Sequence, residues 1–462
     1  MGAAFVALLL IAAEPTFQSG AASESRRVGE PLILNTFGVQ VSATSESRVG
    51  EAPILAGANS QAFVAEILIP RLGLELRRPD LIFQLFYAVR FYWENPNPDS
   101  TPDPMTGLER SQWAPLILHT AGLSLDTRAS RRVSLAATAT GSIGSPDYTT
   151  LPQILGTVQA SLPPIVDVAA VDTEVRGGFR ATRRWTLNLT GHLSYWHWLD
   201  APPASTPTTM GQTMVAGQIF MTGQTLVTVT PEAEIVLTAR DWLGIGAALG
   251  ATSYSDGAGI STATPEVTWR TRVSPRTNFR LTGGVTYAKA LGTTPQGTQP
   301  LLGASGSTVA PIGSFELFSS LMRHDQILVQ GGVTGAVDFY VDPVFDSAVS
   351  RASVGGRLTL ISSPLWMATL RGDFGTALRD TPYQTIFNGA LVPNAVPPDE
   401  TAFSVGLSAR RWMSENLLAE VGGIWADRAP ALVTPDFKFH QRQLWIYVAL
   451  TATTRPIARL AH

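Results

Sequence analysis

Six histidines are the residues of this chain best suited to moving protons: His119, His192, His197, His324, His440 and His462. An imidazole titrates near neutrality and can serve as a general base or a metal ligand. Nucleophilic catalysis needs such a base beside an activated hydroxyl or thiol, with a third group holding the base in place. There is no cysteine, which excludes thiolate nucleophiles, thiolate metal sites and disulfides. No serine stands in a G-x-S-x-G context, and no histidine or acidic pair has a recognisable metal spacing. His192 falls on the polar side of an alternating run and could act as a base, whereas His197 falls among aromatics and His324 in a tight turn. The segment "GGVTGAV" (331–337) has the glycines of a phosphate loop but reads as a strand of small residues rather than a strand-to-helix turn. The pattern therefore implies no enzyme, no cofactor and no metal.

The remaining chemistry lies in isolated charges. Charged residues make up 15% of the 462, against about 25% in a typical soluble domain. A net charge of -3 gives no basic field for nucleic acid. The charges recur at every second position, facing away from apolar neighbours, because side chains of a strand alternate between faces. Asp172, Glu174, Arg176 and Arg180 oppose Val171, Val175 and Phe179. Glu232, Glu234 and Arg240 oppose Val229, Ala233 and Ile235. Glu266, Arg270 and Arg272 oppose Val267, Trp269 and Val273, and Arg351 and Arg357 oppose Val354 and Leu358. With Arg280 and Arg371, these residues are expected to line a pore. Acids dominate the first part of the set and arginines the second, so two arcs of opposite charge should face one another across the lumen, unless neighbours pair, as Glu234 and Arg270 would.

Elements that place charges in this way are long strands. No stretch after residue 15 has 18 uninterrupted apolar residues, so no ordinary helical span is expected. Alternating runs of 10–14 residues follow one another from residue 34, longer than the usual soluble strand and long enough to cross a bilayer at a tilt. Tight polar turns join them in pairs: "RRPD" (77–80), "TRAS" (127–130), "ATRR" (181–184), "ARD" (239–241), "SPRT" (274–277), "RHD" (323–325), "SSP" (362–364) and "RWMSEN" (411–416). Between pairs lie longer Pro-, Gly-, Ser- and Thr-rich connections at 95–115, 145–166, 199–213, 292–307 and 380–400. Eight hairpins, a leading run (34–48) and a closing run (437–453) give about 18 strands (16–18) of an all-β, transmembrane antiparallel up-and-down β-barrel with short periplasmic turns and long extracellular loops. Tyr92, Trp93, Trp185, Tyr195, Trp196, Trp198, Trp242, Trp366 and Trp412 stand near strand ends and are expected as two girdles at the membrane interfaces. Residues 1–22 read as a signal peptide lacking its basic start, 23–33 as a periplasmic segment, 34–453 as the barrel and 454–462 as a periplasmic tail.

Hairpins such as "VRGGFRATRRWTLNLTGHLSYW" (175–196) and "IVLTARDWLGIGAALGATSY" (235–254) resemble those of bacterial outer-membrane β-barrel proteins of porin type. The closing "LWIYVALTATTRPIARLAH" departs from the terminal aromatic common in that class. In strand number and simplicity the chain is also similar to integral barrels of polysaccharide export systems. These resemblances imply an integral protein of the outer membrane of a Gram-negative bacterium, acting as a channel for polar solutes or for a polymer such as exopolysaccharide. They imply outer-membrane lipid, the barrel assembly machinery and periplasmic polysaccharide-export components as partners. A surface barrel with an occluded lumen, structural or adhesive, is the competing expectation.

Overall fold

The structure is a computed structural model. It describes residues 36–52, 61–95, 116–145, 167–199, 223–254, 259–291, 306–324, 327–342, 347–362, 365–379, 383–387, 390–395, 400–430 and 441–454. The proposed signal peptide, the 23–33 segment, most of each long connection and all of the tail but Thr454 lie outside them.

Strand β1 (Thr36–Ala52) is followed by hairpins: β2 (Gln61–Arg78) with β3 (Leu81–Asn95), β4 (Leu116–Thr127) with β5 (Val133–Gly144), and β6 (Val168–Arg180) with β7 (Trp185–Trp198). Next come β8 (Gln224–Val236) with β9 (Asp241–Tyr254), β10 (Gly259–Ser274) with β11 (Thr277–Leu291), and β12 (Ser307–His324) with β13 (Ile327–Asp342). The last are β14 (Ser347–Ser362) with β15 (Trp366–Arg379), β18 (Glu400–Ser414) with β19 (Leu417–Pro430), and β20 (Gln441–Thr453). These eighteen strands form one sheet in which sequence neighbours pair antiparallel, and β1 pairs with β20 to close the ring. A separate short pair, β16 (Tyr383–Phe387) and β17 (Ala390–Ala395), stands inside the last long connection, which the sequence presented as irregular.

The tight turns share a device. A hydroxyl at Ser130, Thr182, Thr238, Ser274 or Ser414 accepts a hydrogen bond from the backbone N–H two residues on. Such side-chain bonds satisfy amides that a strand end leaves unpaired and fix where the chain reverses.

Exposure decides what surrounds the ring. On the outer face Ile245 is 60% and Leu407 59% exposed, while on the other face Thr282 is 1% and Glu46 5% exposed. Apolar side chains outside and polar ones inside invert the arrangement of a soluble sandwich, whose apolar face would form the core. Strands of 12–18 residues, tilted as in barrels, rise roughly 30–45 Å, enough to span a bilayer. The chain is a transmembrane barrel of outer-membrane type.

Candidate functional site: the inner wall

Each inner-wall side chain is set by strand parity and cross-strand register. On β6 and β7, Asp172 accepts a hydrogen bond from the His192 ring at 2.9 Å, and Glu174 pairs with Arg176. On β8 and β10, Glu234 lies 3.1 Å from Arg270; Asn188 donates to Glu232 at 3.4 Å. Arg351 on β14 forms two bonds to Asp338 of β13, at 2.7 and 3.2 Å. Arg371 on β15 meets Asp373 at 2.6 Å. Most of the expected pore-lining charges thus stand beside a partner on the polar face. Arg180 ends β6 at the rim, and Arg240 lies in the β8–β9 turn, because β8 stops at Val236. Among the described residues no group of three His, Asp or Glu side chains could hold a metal ion. The His192–Asp172 pair joins adjacent strands.

The ring order corrects the picture of two opposed arcs. The acids of β8–β10 and the arginines of β14, β15 and β18 are six steps apart around eighteen strands, a third of the circle. Nine steps, the far wall, separate β15 from β6 with its Asp172 and Glu174. Sequence order alone does not reveal this, because it takes strand count and closure together to fix what faces what.

The aromatic expectation also divides. Trp93, Trp185, Tyr195 and Trp366 share the outer, apolar face; the Arg411 guanidinium lies 4.9 Å from the Trp366 ring centre. Tyr92 and Trp196 do not: they are buried on the inner side, Tyr92 opposite Ile67 and Trp196 opposite Ala170. Trp242 pairs with Arg270 and Trp412 with Leu418, both inner-face positions. Adjacent residues of a strand face opposite ways, so Tyr92–Trp93 or Tyr195–Trp196 can place only one ring in lipid. The Trp198 side chain lies outside the described residues. Trp269, packed edge-on against Phe279, and Trp425, against Phe403, belong to the outer face; the sequence places Trp269 on an apolar face, but neither stands among the expected girdle aromatics.

Sequence reading also missed inner-wall charges on less regular strands. Glu46 and Arg48 form a buried pair on β1, Glu75 and Arg77 pair on β2, and Arg410 of β18 lies 2.7 Å from Glu420 of β19. Tyr447 of β20 donates to the same Glu420 at 2.8 Å. Spacing of two on β1 and β2 was the available signal; Ser45 and Ser47 on the outer face of β1 weakened the contrast there. An apolar patch interrupts the polar wall where Phe63, Ala65, Ile67, Tyr92 and Trp445 pack together.

No family model and no curated protein matches the chain. Among solved structures, it is similar to a bacterial polysaccharide outer membrane secretin, at 10% identity, covering 90% of this chain and 98% of that one with a TM-score of 0.34. It is similar to the FrpB iron transporter of Neisseria meningitidis, at 8% identity, 91% and 81% coverage and a TM-score of 0.44. It is also similar to Pseudomonas aeruginosa OpdK with vanillate, at 11% identity, 90% and 98% coverage and a TM-score of 0.41.

Proposed function

We propose that the protein is an outer-membrane channel for polar solutes. The observation that carries this is a closed ring of eighteen strands whose inner wall carries ion pairs, threonines and an imidazole. Barrels of 16–18 strands are wide enough to enclose an aqueous path, and charged or hydroxyl side chains keep such a path hydrated. Passage of a polymer such as an exopolysaccharide is the narrower form of the proposal, with periplasmic export components as partners. Threonine pairs on the inner face of β10 and β11, Thr264–Thr286 at 2.9 Å and Thr268–Thr282 at 3.1 Å with Glu266 between them, keep this stretch of wall polar, as passage of a polyhydroxylated cargo needs. Purified barrel in planar bilayers should show stable unitary conductance. Silence from correctly folded protein would instead support an occluded surface barrel.

A further inference from the structure

Two arginines stand directly opposite one another on adjacent strands of the inner wall: Arg357 of β14 and Arg371 of β15. Like charges at such positions repel and destabilise a sheet. Every other inner-wall arginine discussed above for β14, β15 and β18 has its own carboxylate: Asp338 for Arg351, Asp373 for Arg371 and Glu420 for Arg410. Among the described residues no carboxylate pairs with Arg357. Its direct cross-strand neighbour is the like charge of Arg371, and Arg357 is exposed.

The flanking positions are equally unusual. Gly332 of β13 is the partner of Arg357 on one side, and Gly406 of β18 is the partner of Arg371 on the other. With no side chains at these two positions, the guanidinium pair stands clear within its row. A Cβ added at either glycine would make only ordinary contacts, at 3.6 Å or more, so backbone crowding does not demand these glycines. A repulsive pair with a single acid, Asp373, already held by Arg371, and set between two residues lacking side chains, leaves the second guanidinium with no structural role that the neighbouring strands require. Guanidinium groups bind carboxylates and phosphates by paired N–H donors.

We infer that Arg357, with Arg371 beside it, forms an anion-binding station in the lumen that selects solutes bearing carboxylate or phosphate oxygens. This rests on the channel reading and names its solute class. It also separates two arginines that the sequence groups together: Arg351 is neutralised by Asp338, whereas Arg357 is available.

The test uses the full barrel in planar bilayers under a potassium chloride gradient. Wild type should prefer chloride. Arg357→Gln should lower the anion-to-cation permeability ratio by up to about sixteenfold, since one unit charge at roughly 5 Å through water changes the anion and the cation about fourfold each, in opposite directions. Arg276→Gln, in the β10–β11 turn, should leave the ratio unchanged. Galacturonate oligomers and glucose phosphate, added separately, distinguish the carboxylate from the phosphate source: whichever interrupts the wild-type current should do so less in Arg357→Gln, while neutral maltose oligomers should have equal effect on both. Unchanged selectivity and unchanged interruption in a heat-modifiable, folded Arg357→Gln barrel would overturn the inference and leave the channel reading standing. If wild type conducts nothing, the channel reading fails. Calorimetry with the same anions on detergent-solubilised protein then decides this one, since binding that does not depend on Arg357 would overturn it.

Discussion

At the scale of single residues, the turns show how one side chain sets both geometry and titration. In the β8–β9 turn the Thr238 hydroxyl meets the Asp241 carboxylate at 2.6 Å and accepts from the Arg240 and Asp241 amides. The hydrogen bond from Thr238 comes first among the influences that hold the Asp241 carboxyl below the usual carboxylate range. A lowered folded pKa means the stabilisation is present above the ordinary carboxylate range and is lost as pH falls through the folded value. Thr238→Ala should therefore raise the Asp241 titration midpoint toward its ordinary value. Carbon-detected NMR of the carboxyl in micelles reads this directly, and an unmoved midpoint would show that the other contacts suffice. Gly144, at the end of β5, is a different case. Its φ is +124°, and an added Cβ would lie within 2.1 Å of the Ile117 carbonyl oxygen. Gly144→Ala should cost about 1–3 kcal/mol, seen as a lower temperature for the heat-modifiable gel shift.

At the scale of the strand, period-two alternation made most of the barrel legible in the sequence. The runs around Leu85, Val175 and Leu249 carry apolar residues at every second position, and these are the exposed outer positions of β3, β6 and β9. Six of the eight tight turns lie wholly on described residues and fall where clusters such as "ATRR" and "SPRT" stand; "RHD" and "SSP" lie partly outside the described residues, between strands that end at His324 and Ser362 and resume at Ile327 and Trp366. What the sequence did not resolve has physical causes. Tyr92 and Trp196 sit beside true outer-face aromatics, and proximity to a strand end obscured their opposite parity. Arg410 and Glu420 lie on separate strands, so their pairing depends on a register that no local pattern displays. Arg357 was visible as an arginine, but its lack of an acid is a property of its neighbours on β13 and β15. Parity yields a prediction. With cysteine at Leu187, a lipid-soluble reagent in the bilayer should react, and with cysteine at Asn188 a water-soluble one in the lumen should. Equal reactivity of both positions with one reagent would refute the assignment of faces on β7. Orientation yields another. A cysteine at Ser205, in the β7–β8 connection, should react with an impermeant maleimide on intact cells, and one at Ser130, in the β4–β5 turn, should not. The opposite result would invert the barrel in the membrane.

At the scale of the whole molecule, everything said about opposing walls depends on closure. An open sheet of eighteen strands would expose the backbone edges of β1 and β20, which hydrocarbon does not tolerate. Here the edges meet in register from Ser42 opposite Thr453 to Glu51 opposite Leu444. Side chains reinforce the seam: Gln40 donates to Thr453 at 3.0 Å, and Thr44 and Thr451 share a hydrogen bond at 2.9 Å. The contact links residues some four hundred positions apart, so it forms only once the intervening strands are placed and the chain has gone once around. It is also the contact that turns sequence order into facing walls and sets Arg371 across from β6. Because the chain has no cysteine, this seam can be tested without background. Ser45 and Leu450 are direct partners on the outer face, and paired strand positions lie within the span a disulfide bridges. The double variant Ser45→Cys, Leu450→Cys should cross-link on mild oxidation in membranes and give a reductant-sensitive change in gel mobility. Ser45→Cys with Ile143→Cys, which places the second thiol on β5, should give none. Failure of the seam pair to cross-link in protein that is inserted and heat-modifiable would mean that the ring closes in another register or not at all, and the assignment of facing walls would fall with it.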